Sequence, residues 1–446
     1  LAVVKPPKDP ATRASVDELE RAIATARQLA EAEKLTEATA ALPELKAAQA
    51  LHYRPVEASL LLTRGLIEYR ATDIKTSIDT LTSGIVAAEA AGDDKLAAGG
   101  WIDLMGNLAD IHHLDEARVA GRHASALLER IGGNPRFEAK LLEYQGWTEV
   151  YDGKQGTPYF DRALDLRERT LPPEDPDLLG SLELEARELA AKHEFDKSLA
   201  LHQRILAARE KLYGPDAPMV AWSLFGIASN QRRLGDERGA VQNLTRALAI
   251  YDSAAVKTAA PRLFVLESLA LAHAGLGEHD QAVDYGRRAV ELGEKLAATR
   301  QPADLAAALA TYATVLREHG DYAGALAQAE RALAVVDKSL PPNNGLFVAW
   351  LVEVGLARLG LGRAADAVEP LERAVKIVDQ HVPADDWNND QPAQARFALA
   401  RVLRALGKDE PRARELAGKA RELWAAWGTG KTDEVAQVDA FLSASR

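Results

Sequence analysis

The chain has 446 residues, no cysteine and a formal net charge of −12, with 27% charged and only 6% aromatic residues. Lack of cysteine excludes disulfides, thiolate nucleophiles and Cys-ligated zinc, and the acidic balance argues against a general nucleic-acid binder, which needs surplus Lys and Arg. No apolar stretch approaches the roughly 20 residues that span a bilayer, while abundant Ala, Leu, Glu and Arg favour helix over strand.

The opening "LAVVKPPKDP" is not a signal peptide, and residues 1–14 read as an extended segment. From there one period of about forty residues fills the chain. "AEKLTEATAALPEL" is a weak first unit. "RATDIKTSIDTLTSG" places Thr72 at a turn and Gly84 on the next helix. "IHHLDEARVAGRHA" does the same with His112 and Ala124, "VYDGKQGTPYFDRAL" with Gly153 and Ala163, and "KHEFDKSLALHQRIL" with His193 and Ile205. The clearest copies follow: "RLGDERGAVQNLTRAL", "GLGEHDQAVDYGRRAV", "EHGDYAGALAQAERAL" and "GLGRAADAVEPLERAV". Their turn glycines, Gly235, Gly277, Gly320 and Gly362, are 42, 43 and 42 residues apart. Ala240, Ala282, Ala325 and Ala367 recur five residues on; Ala247, Ala289, Ala332 and Ala374 recur beyond them. "ALGKDEPRARELAGKA" adds Gly407 and Ala420 with an insertion.

Period-3.6 apolar patterning on both sides of a Gly-Asp turn predicts a helical hairpin in each unit. Small residues stand where the two helices meet: Gly65, Gly146, Ala186, Ala228, Ala270, Ala313 and Gly355 in first helices, the alanine columns in second helices. Larger side chains there would push the axes beyond about 8–10 Å. Proline in "TLPPEDPDL", "LYGPDAPMV" and "SLPPNNGLF" ends one helix and suits the first turn of the next. One hairpin cannot bury its own stripe, so neighbours must stack. The expectation is an all-α, right-handed superhelical solenoid of about ten hairpins over residues 15–428, its first helices lining a concave face.

The pattern Leu-Gly-x-x-x-x-Ala with Arg-Ala-Leu is similar to the tetratricopeptide (TPR) motif. The longer units, with "EKLYGPDAPMVAWSL" and "ERTLPPEDPDLLGSL", resemble the kinesin-light-chain type. "PPKDPATRASVDELE", "HYRPVEASLLLTRGLIEYRATD", "AAEAAGDDKLAAGGWIDL" and the closing "EVAQVDAFLSASR" resemble the C-terminal TPR region of myxobacterial serine/threonine protein kinases, over essentially the whole chain. That likeness implies a sensory or partner-recruiting region of a signalling kinase. Its compartment is cytoplasmic, or extracytoplasmic behind a membrane span of a longer chain. No Gly-rich kinase loop, Val-Ala-x-Lys, His-Arg-Asp or Asp-Phe-Gly occurs, and the kinesin-light-chain asparagine ladder is largely missing.

TPR proteins hold ligands against first-helix positions about three, six, ten and thirteen residues before the turn. Carried over, these are Tyr144 and Trp147; Glu183 and Arg187; Trp222, Phe225, Ser229 and Arg232; Glu267; Thr314 and Arg317; Val352 and Glu353; and Phe397, Arg401 and Arg404. Aromatic and Arg side chains are common binding anchors, and the arginines favour a protein or peptide partner with carboxylates. The same positions also suit packing against the next hairpin.

Other motifs have plainer readings. His112, His113 and His123 with Asp115 and Glu116 could be a metal cluster, but a surface turn accounts for them. Glu183 and Arg187 fit an i,i+4 ion pair of roughly 0.3 kcal/mol. "WGTGKT" lacks the first glycine of a phosphate loop, where Ala425 stands. It reads as a stop at Gly428 and Gly430, with Thr432 or Asp433 capping a terminal helix over residues 429–446 that closes the solenoid. The reading is a scaffold that is no enzyme and uses no cofactor or metal. Its alternatives are a self-assembly module and a small-molecule or peptide-responsive regulator.

Overall fold

The computed structural model describes residues 5–31, 35–71, 73–253, 259–297, 302–337, 340–341, 343–380, 390–426 and 431–444; the described residues contain helices and no strand. The chain divides into two compact units, Leu1–Ser181 and Leu182–Arg446.

The first unit opens with α1 (Pro10–Glu31), α2 (Leu35–Ala41) and α3 (Leu45–Ala50), followed by α4 (Arg54–Arg70) with α5 (Ile74–Ala91), α6 (Asp94–Asp110) with α7 (Leu114–Arg130), and α8 (Pro135–Tyr151) with α9 (Thr157–Thr170). Next, α10 (Pro176–Ala191) precedes α11 (Phe195–Tyr213). The second unit continues with α12 (Pro218–Arg233) and α13 (Glu237–Ser253), α14 (Ala259–Gly275) and α15 (His279–Leu296), and α16 (Pro302–Glu318) and α17 (Tyr322–Val336). It ends with α18 (Phe347–Gly360) and α19 (Ala364–Gln380), α20 (Gln391–Ala405) and α21 (Glu410–Ala425), and α22 (Thr432–Ser443). Each first helix of the second unit packs on its partner and also on the next first helix, α14 on α16, α16 on α18 and α18 on α20. First helices therefore make the inner layer.

Three expectations need correction. Helix begins at Pro10, inside the segment expected to be extended, because the Asp9 carboxylate accepts from the Thr12 backbone N–H at 2.8 Å and starts α1 there. The weak first unit is no plain hairpin: α2 and α3 are short, separated at Pro43, which disfavours helix in the residue before it. At the other end Lys431, not Thr432 or Asp433, holds the N-cap position of α22 and makes no capping bond. Gly428 and Gly430 lie outside the described residues.

The turns take their form from backbone bonding. At Gly235 the N–H of Asp236 reaches the Gln231 carbonyl at 2.8 Å and that of Gly235 the Arg232 carbonyl at 3.1 Å, with Gly235 left-handed at φ 83°. His112 (φ 59°) and His193 (φ 60°) adopt the same conformation with the same bonding. The Gly-for-His exchange in the repeat thus marks one geometry, which costs a residue with a Cβ about 1–2 kcal/mol.

Between paired helices the small columns are filled solid. A Cβ on Gly355 would sit 2.4 Å from Leu371, and one on Gly146 2.6 Å from Phe160. Ala240, Ala247, Ala289 and Ala332 are fully buried. Ser77 and Ser198 stand where later units have alanine; their hydroxyls donate to the Gly65 and Ala186 carbonyls at 2.6 and 2.7 Å, so the polar group is buried without loss. Buried arginines cross between neighbouring repeats. Arg167 pairs with Glu143 at 2.7 Å and donates to Ser181, and Arg209 pairs with Glu183 at 2.8 Å and donates to Ser223 at 2.9 Å. One repeat later Tyr251 and Val265 replace the arginine and serine, and the seam is apolar. Pro370 inside α19 has no N–H for the Asp366 carbonyl, and Arg358 donates to it instead at 2.9 Å.

Candidate functional site

In the first unit the first-helix face is bonded to itself. The Tyr69 hydroxyl donates to Asp110 at 2.7 Å and the Tyr151 hydroxyl donates to the same carboxylate at 3.2 Å. These residues lie in the last turns of α4, α6 and α8, 41 residues apart. Burial and then Asp110 push the Tyr69 phenol well above its ordinary range. The Tyr144 ring fills the space over Gly106, where a Cβ would meet it at 2.7 Å, and Lys140 lies over that ring while pairing with Asp103 at 2.6 Å. Trp147 packs on Phe160 and Tyr151, with centroids 5.2 and 6.0 Å apart. Both expected binding residues here, Tyr144 and Trp147, are therefore packing residues.

The histidines separate. His112 meets the edge of Tyr151, His113 lies 3.7 Å from Glu116, and His123 stacks on Trp101 at 4.5 Å. No group of three His, Asp or Glu that could hold a metal occurs among the described residues.

In the second unit several expected binding residues are spent on each other. Glu183 turns to Arg209 instead of Arg187, which is exposed on α10 and unpaired, so the i,i+4 pair does not form. Arg317 donates to Glu353 through Nε and Nη2 at 2.9 and 3.3 Å, and the Thr314 hydroxyl donates to the same carboxylate at 3.0 Å. Glu353 is buried, so this is a structural knot. Val352 is buried beside it. Arg232 pairs with Glu237 at 3.3 Å.

The terminal helix takes two more. Phe397 packs edge-on to Trp424 and Phe441 at 5.8 and 5.5 Å. Arg404 stacks on the Phe441 ring at 3.4 Å, donates to the Phe441 carbonyl and pairs with Glu410. Phe397 and Arg404 hold α22 in place, and the sequence could not show this because α22 meets α20 only through tertiary packing. Lys431, the lysine of "WGTGKT", bonds Asp390 and Glu434, each at 2.7 Å. Burial pushes the Asp390 carboxyl up, but Lys431 and Arg233 hold it below the usual range.

What remains open on the inner layer is compact. Trp222 and Phe225 stack at 5.3 Å, both half-buried, with Ser229 exposed one turn on. In Trp222's repeat position the next units have Phe264, Ala307 and Ala349; in Phe225's they have Glu267, Ala310 and Val352. Of these, Ala307 and Ala349 are partly accessible, whereas Ala310 and Val352 are buried. Arg401 is accessible to solvent and carries no ion pair; enclosure and the Arg317 charge pull its guanidinium down. The Oε1 of Glu267 is shielded from solvent without a hydrogen-bond partner, and burial together with Asp304 pushes the carboxyl up to about 8. Perturbed, unsatisfied groups in a recess mark candidate sites.

The tetratricopeptide-repeat family profile matches residues 186–253. No curated protein matches the chain. Among solved structures, the chain resembles a Rap protein complexed with competence and sporulation factor, at 15% identity over 78% of this chain and 98% of that one, TM-score 0.50. It also resembles the apo form of RapI, at 11% identity over 77% and 89%, TM-score 0.52. A Podosopora anserina kinesin-light-chain protein with nearly identical TPR-like repeats aligns at 23% identity over 47% and 96%, TM-score 0.38. At these identities the likeness is one of fold: stacked TPR-like hairpins.

Proposed function

We propose that the chain is a peptide- or protein-binding TPR scaffold whose ligand lies on the inner, first-helix layer of the second unit. Arg401 carries the reading: it stands in the ligand-facing repeat position, open to solvent and unpaired, while Arg232, Arg317 and Arg404 are each bound to a carboxylate of this chain. The stacked Trp222 and Phe225 supply a ring platform on α12 of the same layer. The Rap structure bound to competence and sporulation factor supports peptide capture as a use of this fold. The test is selection of short peptides from a random display library on the full chain. Binding of the selected peptides should fall sharply on Arg401→Glu and on Trp222→Ala, with melting temperature unchanged for Arg401→Glu; undiminished binding by both variants refutes the site.

The assignment to a bacterial signalling kinase rests on the resemblance of "PPKDPATRASVDELE" and the blocks that follow it. The reading frame ahead of Leu1 is the check: a kinase catalytic domain there supports the assignment, and an unrelated domain removes it. A self-assembly role would show instead as a mass that rises with concentration in light scattering.

A further inference from the structure

We propose that the inner face where α14 meets α16 receives a basic side chain, an arginine or lysine of the bound peptide, whose cation docks on the Glu267 carboxyl. This deepens the reading above and rests on it. Glu267 lies in the ligand-facing position of α14, its Oε1 buried and bonded to nothing. Burying a carboxyl without a donor is costly, and native chains satisfy such groups unless something outside the fold does so. Within the chain, cations are turned elsewhere: Arg262, on the same helix, pairs with Asp252 at 2.9 Å, and Arg317 is held by Glu353.

The surroundings choose the sign and shape of the guest. Burial, and then the negative charge of Asp304 from the start of α16, keep the Glu267 carboxyl protonated while nothing positive stands against it. A carboxylate or phosphate would meet the Asp304 charge and an acid that burial keeps from ionising, whereas an ammonium or guanidinium draws the proton of Glu267 off to solvent and pairs with the carboxylate left behind. Ala307 on α16 is small and partly accessible, and the half-buried Phe264 ring on α14 suits the flat face of a cation. The unpaired Arg401 repels a basic group at the α20 end, so the charges also set the direction of the peptide, basic residue towards α14 and acidic group towards α20.

The experiment pans a random dodecapeptide display library on the full chain and on Glu267→Gln. The wild type should enrich peptides with Arg or Lys at one fixed position, and Glu267→Gln should enrich peptides without that requirement. Circular dichroism and melting establish that Glu267→Gln is folded, as a neutral isostere at a buried site should be. The best wild-type peptide is then synthesised with arginine and with citrulline, which keeps the shape and removes the charge. Citrulline should weaken binding about tenfold or more on the wild type, which corresponds to about 1.4 kcal/mol, and hardly at all on Glu267→Gln. Equal binding of the two peptides by the wild type, or a basic preference that persists on Glu267→Gln, overturns the proposal. Selection that depends on Arg401 but shows no basic requirement overturns it while leaving the peptide-binding reading intact. No enrichment on either protein overturns both.

Discussion

The two units use their first-helix faces in opposite ways. On the first-helix face of the first unit Tyr69, Asp110 and Tyr151 bond one another, Lys140 bonds Asp103, and Trp147 is wedged against Phe160. In the second unit alanines at 307, 310 and 349 follow Trp222, Phe225 and Phe264 at equivalent positions, and Arg401 and Glu267 are left without partners. A repeat that satisfies its inner face gains rigidity, and one that leaves it unsatisfied gains a place for a ligand. The difference is chemical, because the hairpins and their turns are built alike in both.

That contrast breaks most visibly at two arginines that the sequence treats as equals. Arg317→Glu should place a negative charge against buried Glu353 and destabilise the α16–α18 region by about 3 kcal/mol, the scale of a broken buried pair. Arg401→Glu should leave stability unchanged, since nothing in the chain depends on it. Hydrogen exchange of α16 and α18 peptides reads both, and equal protection in the two variants would erase the distinction between bonded and open positions.

A second contrast is in pH. The folded chain keeps Glu267 protonated up to about 8, against an ordinary value of 4.5. The folded state therefore holds a proton that the unfolded state has lost between those values, so this group makes stability fall as pH rises from about 4.5 to about 8 and adds no slope above that. Glu267→Gln should remove that part of the slope in denaturant titrations across the range; an unchanged slope would mean that the carboxyl is satisfied in solution. The smallest expected effect lies in the first unit. Tyr69→Phe removes one hydrogen bond to Asp110 and should cost about 1 kcal/mol, seen as faster exchange confined to the ends of α4 and α6.

Much of the fold was legible because its determinants are local. The turn column named His112 and His193 as equivalents of glycine, and both adopt the left-handed conformation. Gly65, Gly146 and Gly355 marked the close helix approaches, where an added Cβ would overlap Leu81, Phe160 or Leu371. The candidate site was legible only as a set of positions. Arg401 and Arg404 are three residues apart on one helix, yet Arg404 is spent on Glu410 and on Phe441 of the terminal helix. Similarly, Glu183 prefers Arg209 on the next helix to Arg187 one turn away. The buried arginines themselves went unread, although Arg167 and Arg209 share a repeat position whose serine partners, Ser181 and Ser223, share another.

By itself the sequence determined the helices, their turns and the period that stacks them, because helix patterning, turn conformation and small-residue contacts depend on near neighbours in the chain. Only the tertiary structure decided which charged and aromatic side chains are free to meet a ligand. A long side chain reaches several alternative partners, and packing alone determines which of them are close enough to outbid water.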